Sequence, residues 1–103
     1  LFTAHSLEFF EPDTEKFRSL ALAYEAINRG GNMPCILNAA NEVANEAFRH
    51  NKCSFLGMAD IIDRTMQRAT YDASPDLEVY LQTDAEARRI ATEFVAEKAA
   101  AKG

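Results

Sequence analysis

The chain has 103 residues, a size that suits one domain burying roughly two-thirds of its unfolded surface. Its 16 acidic against 11 basic side chains leave a net charge of −5, so there is no electrostatic footprint for nucleic acid or an anionic membrane. Apolar residues make up 48% of the chain. No apolar run approaches about 18 residues and no basic segment precedes one at the N-terminus, so neither a membrane span nor a signal peptide is read, and a cytosolic protein is expected.

The chain begins at Leu1 without Met, on a half-polar segment, and is expected to be a piece of something larger. Residues 1–12 read as a linker or strap. Leu7 to Phe10 alternate as an extended segment would, either a strap with Phe2, Leu7 and Phe9 or Phe10 plugging the core or a strand of a sheet supplied by a missing part. A helical bundle is expected over 13–100. Pro12 and Asp13 give a first helix start, with Asp13 as N-cap, and Phe17, Leu20, Ala21, Tyr24 and Ile27 form the stripe expected to be buried. Gly30-Gly31 stops that helix.

The second helix opens with Pro34 in its first turn and reaches His50-Asn51-Lys52. Ile36, Leu37, Ala40, Val43, Ala44, Ala47 and Phe48 fall on one broad face built to be buried. The opposite stripe carries Asn38, Asn41, Glu42 and Asn45. Asparagine competes for backbone hydrogen bonds inside a helix, and three of them cost about 1–2 kcal/mol in propensity. A third helix is expected from Met58 to about Ala69, burying Met58, Ile61, Ile62, Thr65, Met66 and Ala69, with Asp60, Asp63, Arg64 and Arg68 on a solvated face. Thr70 to Gln82 reads as irregular, with Leu77, Val79 and Leu81 alternating as an extended piece. Thr83 and Glu86 have capping-box spacing, so the fourth helix is expected to start there and to bury Ala87, Ile90, Ala91, Phe94 and Val95. The fold class is therefore all-α, a four-helix bundle-like domain with a short extended N-terminal strap.

Little in the chain resembles catalytic machinery. Cys35 and Cys53 have neither zinc nor disulfide spacing and read as small core residues. Gly30-Gly31 closes a helix instead of opening one after a strand, the wrong context for a phosphate loop. Glu46 and His50, four apart, read as a surface pair, and a metal enzyme using Glu42, Glu46 and His50 is the weakest reading. Ser6, Ser19 and Ser54 lie in no elbow-like turn beside a base. The constellation that stands out is Asn38, Asn41 and Glu42, read as a structural polar stripe that ties down the backbone of a crossing segment such as the strap. On that reading Asn38→Ala or Asn41→Ala lowers stability by roughly 1–3 kcal/mol.

The run Leu37-Asn38-Ala39-Ala40-Asn41-Glu42 resembles a signature in the C-terminal region of the 1-deoxy-D-xylulose 5-phosphate reductoisomerase family. Leu7-Glu8-Phe9, Glu11-Pro12-Asp13, Phe17, Leu20 to Ala26 and Gly30-Gly31 are similar to the segment preceding it, and Ala47-Phe48, Phe55 and Ile61-Ile62 to the segment after it. The chain departs from the family pattern at Arg18-Ser19, where Pro-Cys is frequent, and at Asn45, where a small or branched apolar residue is common. The resemblance implies an enzyme of three parts: an NADPH-binding domain, a central domain with metal-binding carboxylates and a substrate phosphate site, and a C-terminal helical bundle. This chain is similar to the last part alone.

The implied reaction isomerises and reduces 1-deoxy-D-xylulose 5-phosphate to 2-C-methyl-D-erythritol 4-phosphate in non-mevalonate isoprenoid biosynthesis. NADPH and Mg²⁺ or Mn²⁺ are implied for the intact enzyme, a homodimer in the bacterial cytoplasm or a plastid. No catalytic, cofactor-binding or metal residue carries over to this chain, which is expected to be inactive alone and to brace the N-terminal and central domains. The alternative is a free-standing helical interaction module.

Overall fold

The structure is a computed structural model that describes residues 14–102, with side chains from 18 to 99. Four helices fill it: α1 (Thr14–Arg29), α2 (Met33–Arg49), α3 (Phe55–Arg68) and α4 (Leu77–Lys102). No strand occurs among the described residues. The all-α, four-helix class read from the periodicity is the one observed, while the expected strap over residues 1–12 lies outside the described residues.

Local chemistry accounts for where the helices begin and end. At the end of α1, Gly30 takes φ +67 and its N–H returns to the Ala26 carbonyl at 3.0 Å. The end of α2 is a Schellman motif built on asparagine: Asn51 adopts φ 60, its N–H reaches the Phe48 carbonyl, and the Lys52 N–H reaches that of Ala47 at 2.8 Å. Helix α3 starts three residues before the expected Met58, because Ser54 caps it by accepting the Gly57 N–H at 3.0 Å.

The largest correction concerns α4, which begins at Leu77 and not at the Thr83 capping box. Asp76 starts it, its carboxylate accepting the Val79 N–H at 2.9 Å and its carbonyl the Tyr80 N–H at 3.0 Å. Leu77, Val79 and Leu81 are thus helical, and Leu77 and Leu81 stand in solvent at 75% and 66% exposure.

Helices α2 and α3 pack against every other helix, whereas α1 and α4 each pack on both of them but not on each other. Ile36, Ala40, Ala44 and Ala47 of α2 are buried as expected, the small alanines permitting close approach, while Phe48 stays 41% exposed at the helix end. From α3 come Ile61, Ile62, Thr65 and Met66, and from α4 come Ala87, Ile90, Ala91, Phe94 and Val95, the last set matching expectation residue for residue. Cys53 is a core residue, but Cys35 is only half-buried, in the first turn of α2.

Helix α1 is rotated away from its expected orientation. Leu22 and Ala26 face the core, and Leu20, Tyr24 and Ile27 face outward. Contacts at its two ends fix that rotation. Near the start, the Arg18 guanidinium bonds Asp60 at 2.7 Å and Asp63 at 3.3 Å, and at the end the Arg29 carbonyl accepts the Tyr71 hydroxyl at 2.7 Å. Arg18, Leu22 and Arg29 lie within one narrow arc at 3.6 residues per turn, so satisfying both ends turns the Leu20 stripe outward. The α3 face expected to be solvated is likewise engaged, since Asp60 also accepts from Lys98 of α4 at 3.2 Å and Arg64 lies over the Phe94 ring at 4.3 Å.

Candidate functional site

Asn38, Asn41 and Glu42 all lie on the exposed side of α2, and they form two separate groups. Asn38 donates to Glu42 at 3.4 Å, and the other Glu42 oxygen accepts from Arg88 of α4 at 2.7 Å. Arg88 also donates to Asp84 at 2.9 Å. Its guanidinium is held above its ordinary pKa, first by the hydrogen bond to Asp84 and then by the one to Glu42. Asn41 is paired with Asn45, whose amide donates to the Asn41 carbonyl at 2.8 Å and to its side-chain oxygen at 3.2 Å. Among the described residues these amides serve their own helix turn, not a crossing backbone.

Beside the stripe an open groove of about 890 Å³ runs between the second half of α2 and the middle of α4. Val43, Ala47 and Val95 supply its apolar lining, and Glu42, Glu46, His50, Lys52 and Arg88 its charged lining. Glu46 is held below the usual carboxylate range by its hydrogen bond to His50, at 2.9 Å, and then by the charge of Arg49. With Glu42 taken up by Arg88 and Glu46 by His50 and Arg49, no group of three or more His, Cys, Asp or Glu among the described residues is placed to hold a metal. Two hydroxyls are also engaged: Ser54 caps α3, and Thr92 donates to the Arg88 carbonyl at 2.7 Å. The Cys35 thiol is pushed up by burial and then by Asp84, the opposite of an activated nucleophile.

The polar cluster with the most burial was not singled out by the sequence. Asn32, 1% exposed, donates from Nδ2 to the Thr70 carbonyl and to Thr83 Oγ1, both at 2.9 Å, and its Oδ1 accepts the Asp72 N–H at 2.8 Å. The two residues read as a capping box belong to this latch. Thr83 receives Asn32, while Glu86 accepts the Thr70 N–H at 2.9 Å. Gly31 completes it, because a Cβ there would lie 2.2 Å from the Asp72 carbonyl oxygen. The space over Gly31 is filled by the chain's own loop, so it holds no phosphate. In the sequence, Gly-Gly-Asn signals a turn; nothing in it signals that the asparagine becomes buried.

Comparison with known proteins follows this geometry closely. The family model of the DXP reductoisomerase C-terminal domain matches residues 1–90. The chain is 60% identical over 90 residues to the 1-deoxy-D-xylulose 5-phosphate reductoisomerase of Bacteroides thetaiotaomicron, covering 87% of this chain and 23% of that protein. It is 42% identical to the same enzyme of Methylococcus capsulatus over 92% of this chain and 24% of that protein. Among solved structures, the Zymomonas mobilis reductoisomerase in complex with NADPH superposes with a TM-score of 0.73 at 41% identity, over 84% of this chain and 23% of that one. The chain thus spans about a quarter of the length of these relatives, and it belongs to the DXP reductoisomerase C-terminal domain family.

Proposed function

We propose that this chain is the C-terminal structural domain of a 1-deoxy-D-xylulose 5-phosphate reductoisomerase, and that it braces the rest of that polypeptide without supplying catalytic residues. The observation that carries this reading is the 60% identity across 90 residues with a reductoisomerase four times as long. The intact enzyme would convert 1-deoxy-D-xylulose 5-phosphate to 2-C-methyl-D-erythritol 4-phosphate with NADPH and a divalent cation, as a cytoplasmic homodimer in a bacterium or in a plastid.

Among the described residues, none is grouped as either cofactor would require. Among them, Glu42, Glu46, Asp60 and Asp63 are engaged by arginine, lysine or histidine, the Gly31 turn is closed by Asp72, and the Ser54 hydroxyl caps α3. No helix among the described residues is long and apolar enough to cross a membrane. Asn38, Asn41 and Glu42 act as a surface polar stripe, and residues 1–12 join the bundle to the preceding domains.

A chimera tests this directly. The corresponding C-terminal residues of the Bacteroides thetaiotaomicron enzyme are replaced by this chain, and substrate-dependent NADPH consumption is measured with Mg²⁺. Activity in the chimera and none in the 103-residue chain alone is expected. Turnover by the isolated chain, or a folded chimera with none, sinks the reading.

A further inference from the structure

Helix α1 is the outermost element of the bundle. Among the described residues α2, α3 and α4 each pack on the other two, whereas α1 packs on α2 and α3 and not on α4. Of its described side chains, residues 18–29, Leu22 and Ala26 are the buried ones, against Met33, Ile36, Ala39, Ala40, Ala44 and Ala47 in α2. Stabilisation follows the apolar area removed from water, so this strip holds α1 less firmly than the other three helices hold one another. We propose that α1 is a hinged arm that pivots at Gly30, is held closed by a clamp of Arg18 on Asp60 and Asp63, and opens as a unit while α2, α3 and α4 stay folded. The proposal does not depend on the enzyme assignment.

The turn after α1 has a free part and a fixed part. Gly30 takes φ +67, and nothing lies within 4 Å of the position a Cβ would occupy. Its N–H closes α1 on the Ala26 carbonyl and its carbonyl accepts the Met33 N–H of α2, both at 3.0 Å. The two helices can therefore move against each other about the Cα bonds of this one residue, which as glycine has a wide range of backbone angles. Gly31 is fixed against the Asp72 carbonyl, and Asn32 is bound to Thr70 and Asp72. Rotation at Gly30 leaves that latch closed. The Tyr71 hydroxyl holds the Arg29 carbonyl one residue before the pivot, where the arm moves least.

The clamp lies at the other end of the described arm, about 18 Å along the helix from the pivot. Arg18 donates to Asp60 at 2.7 Å and to Asp63 at 3.3 Å. The three side chains are 37%, 43% and 30% exposed, so water competes for them and the clamp is a modest one. Both carboxylates also have a partner that stays behind when Arg18 leaves: Lys98 of α4 donates to Asp60 at 3.2 Å, and Gln67 of α3 donates to Asp63 at 2.9 Å. Opening therefore strands neither acid. Once undocked, a 16-residue helix is marginal in water and its amides exchange.

Amide hydrogen exchange followed by NMR on the 103-residue chain reads the opening. Amides from Leu22 to Arg29 are expected to exchange at least about tenfold faster than those from Ala39 to Ala47. They should share one shallow urea dependence, because unfolding one helix exposes less surface than unfolding four. Rates graded along α1 would denote fraying, and equal rates and slopes in α1 and α2 would denote global opening; each overturns the proposal. Ile90→Val in α4 is expected to speed exchange in α2 by about threefold or more and to leave that of α1 unchanged. An equal acceleration in α1 refutes independent opening. Arg18→Gln, which keeps a good helix former, is expected to speed exchange in α1 by about threefold or more, and to add nothing to Asp60→Asn with Asp63→Asn. No acceleration, or additive ones, overturn the clamp. The Asn32 and Asp72 amides should stay at least about tenfold slower than those of α1, and exchange at the α1 rate overturns the pivot.

Discussion

Replacing Asn32 by alanine should be the most damaging exchange of one polar side chain in the domain. The side chain makes three hydrogen bonds and is 1% exposed. Truncation strands the Asp72 N–H and the Thr70 carbonyl in a closed site, at about 1–3 kcal/mol for each unsatisfied group. The Thr83 hydroxyl can rotate to another partner, and some loop relaxation is available, so the expected loss is about 3–4 kcal/mol. For a domain stable by about 5–15 kcal/mol that is a large fraction, corresponding to a fall in Tm of roughly 12–30 °C. Thermal unfolding followed by circular dichroism measures it, and hydrogen exchange should show the Asp72 amide losing protection while the middle of α2 keeps its own. A fall below about 3 °C, or one no larger than that of Asn38→Ala, would mean that the loops are held together by something other than this asparagine.

Other exchanges separate the remaining contributions. Gly30→Ala should cost only about 1–2 kcal/mol for its left-handed backbone at φ +67, since nothing lies within 4 Å of the added carbon. Gly31→Ala should cost clearly more in the same urea titration, because its Cβ would lie 2.2 Å from the Asp72 carbonyl oxygen. Asn38→Ala and Asn41→Ala should change stability by no more than about 0.5 kcal/mol, or raise it slightly by improving helix propensity. That replaces the loss expected for buried amides, and a loss above about 1 kcal/mol in the isolated chain contradicts their exposure. Asp60, with Arg18 and then Lys98 holding its pKa below the ordinary value, contributes stability that is present above about pH 4 and fades as pH falls through its lower folded value. Asp60→Asn should therefore flatten the acid limb of the stability profile, by under about 1 kcal/mol given the 43% exposure of the carboxylate side chain.

The periodic parts of the chain were legible in advance, and the reason is physical. Ile36, Ala40, Ala44 and Ala47, and then Ala87, Ile90, Ala91, Phe94 and Val95, each form one wide apolar arc with no competing arc, so burying that arc leaves a single rotation for the helix. Helix α1 has two apolar arcs, Leu20-Tyr24-Ile27 and Leu22-Ala26. Which one turns inward is decided by Asp60, Asp63 and Tyr71, which lie 42 to 45 residues further along the chain. Arg18, one of the departures from the family pattern, is the residue that binds both aspartates. A window along the sequence cannot see such partners. The start of α4 failed for a different reason: Asp76 and Thr83 are both good caps, and alternation over five residues from Leu77 to Leu81 does not distinguish a strand from the first turns of a helix.

The asparagines carry the same lesson into the candidate site. The sequence reads mid-helix Asn38 and Asn41, with Glu42, as structural ties to a crossing segment, yet both asparagines are exposed and their described side-chain bonds stay within α2. Asn32, in a turn where asparagine carries no penalty, is the one that joins the loop before α2 to the loop before α4. Propensity measures what a residue loses locally, whereas the latch is worth what its partners would lose if left unpaired in a closed site. The stripe lies on the surface of the bundle, beside a groove in which Glu42 pairs with Arg88 and Glu46 with Arg49 and His50. The physical content of this domain lies in how firmly it holds that surface, and the Asn32 latch, which closes the end of the bundle where α1 meets α2 and α3 meets α4, is the part of it that mutation can loosen without touching the stripe.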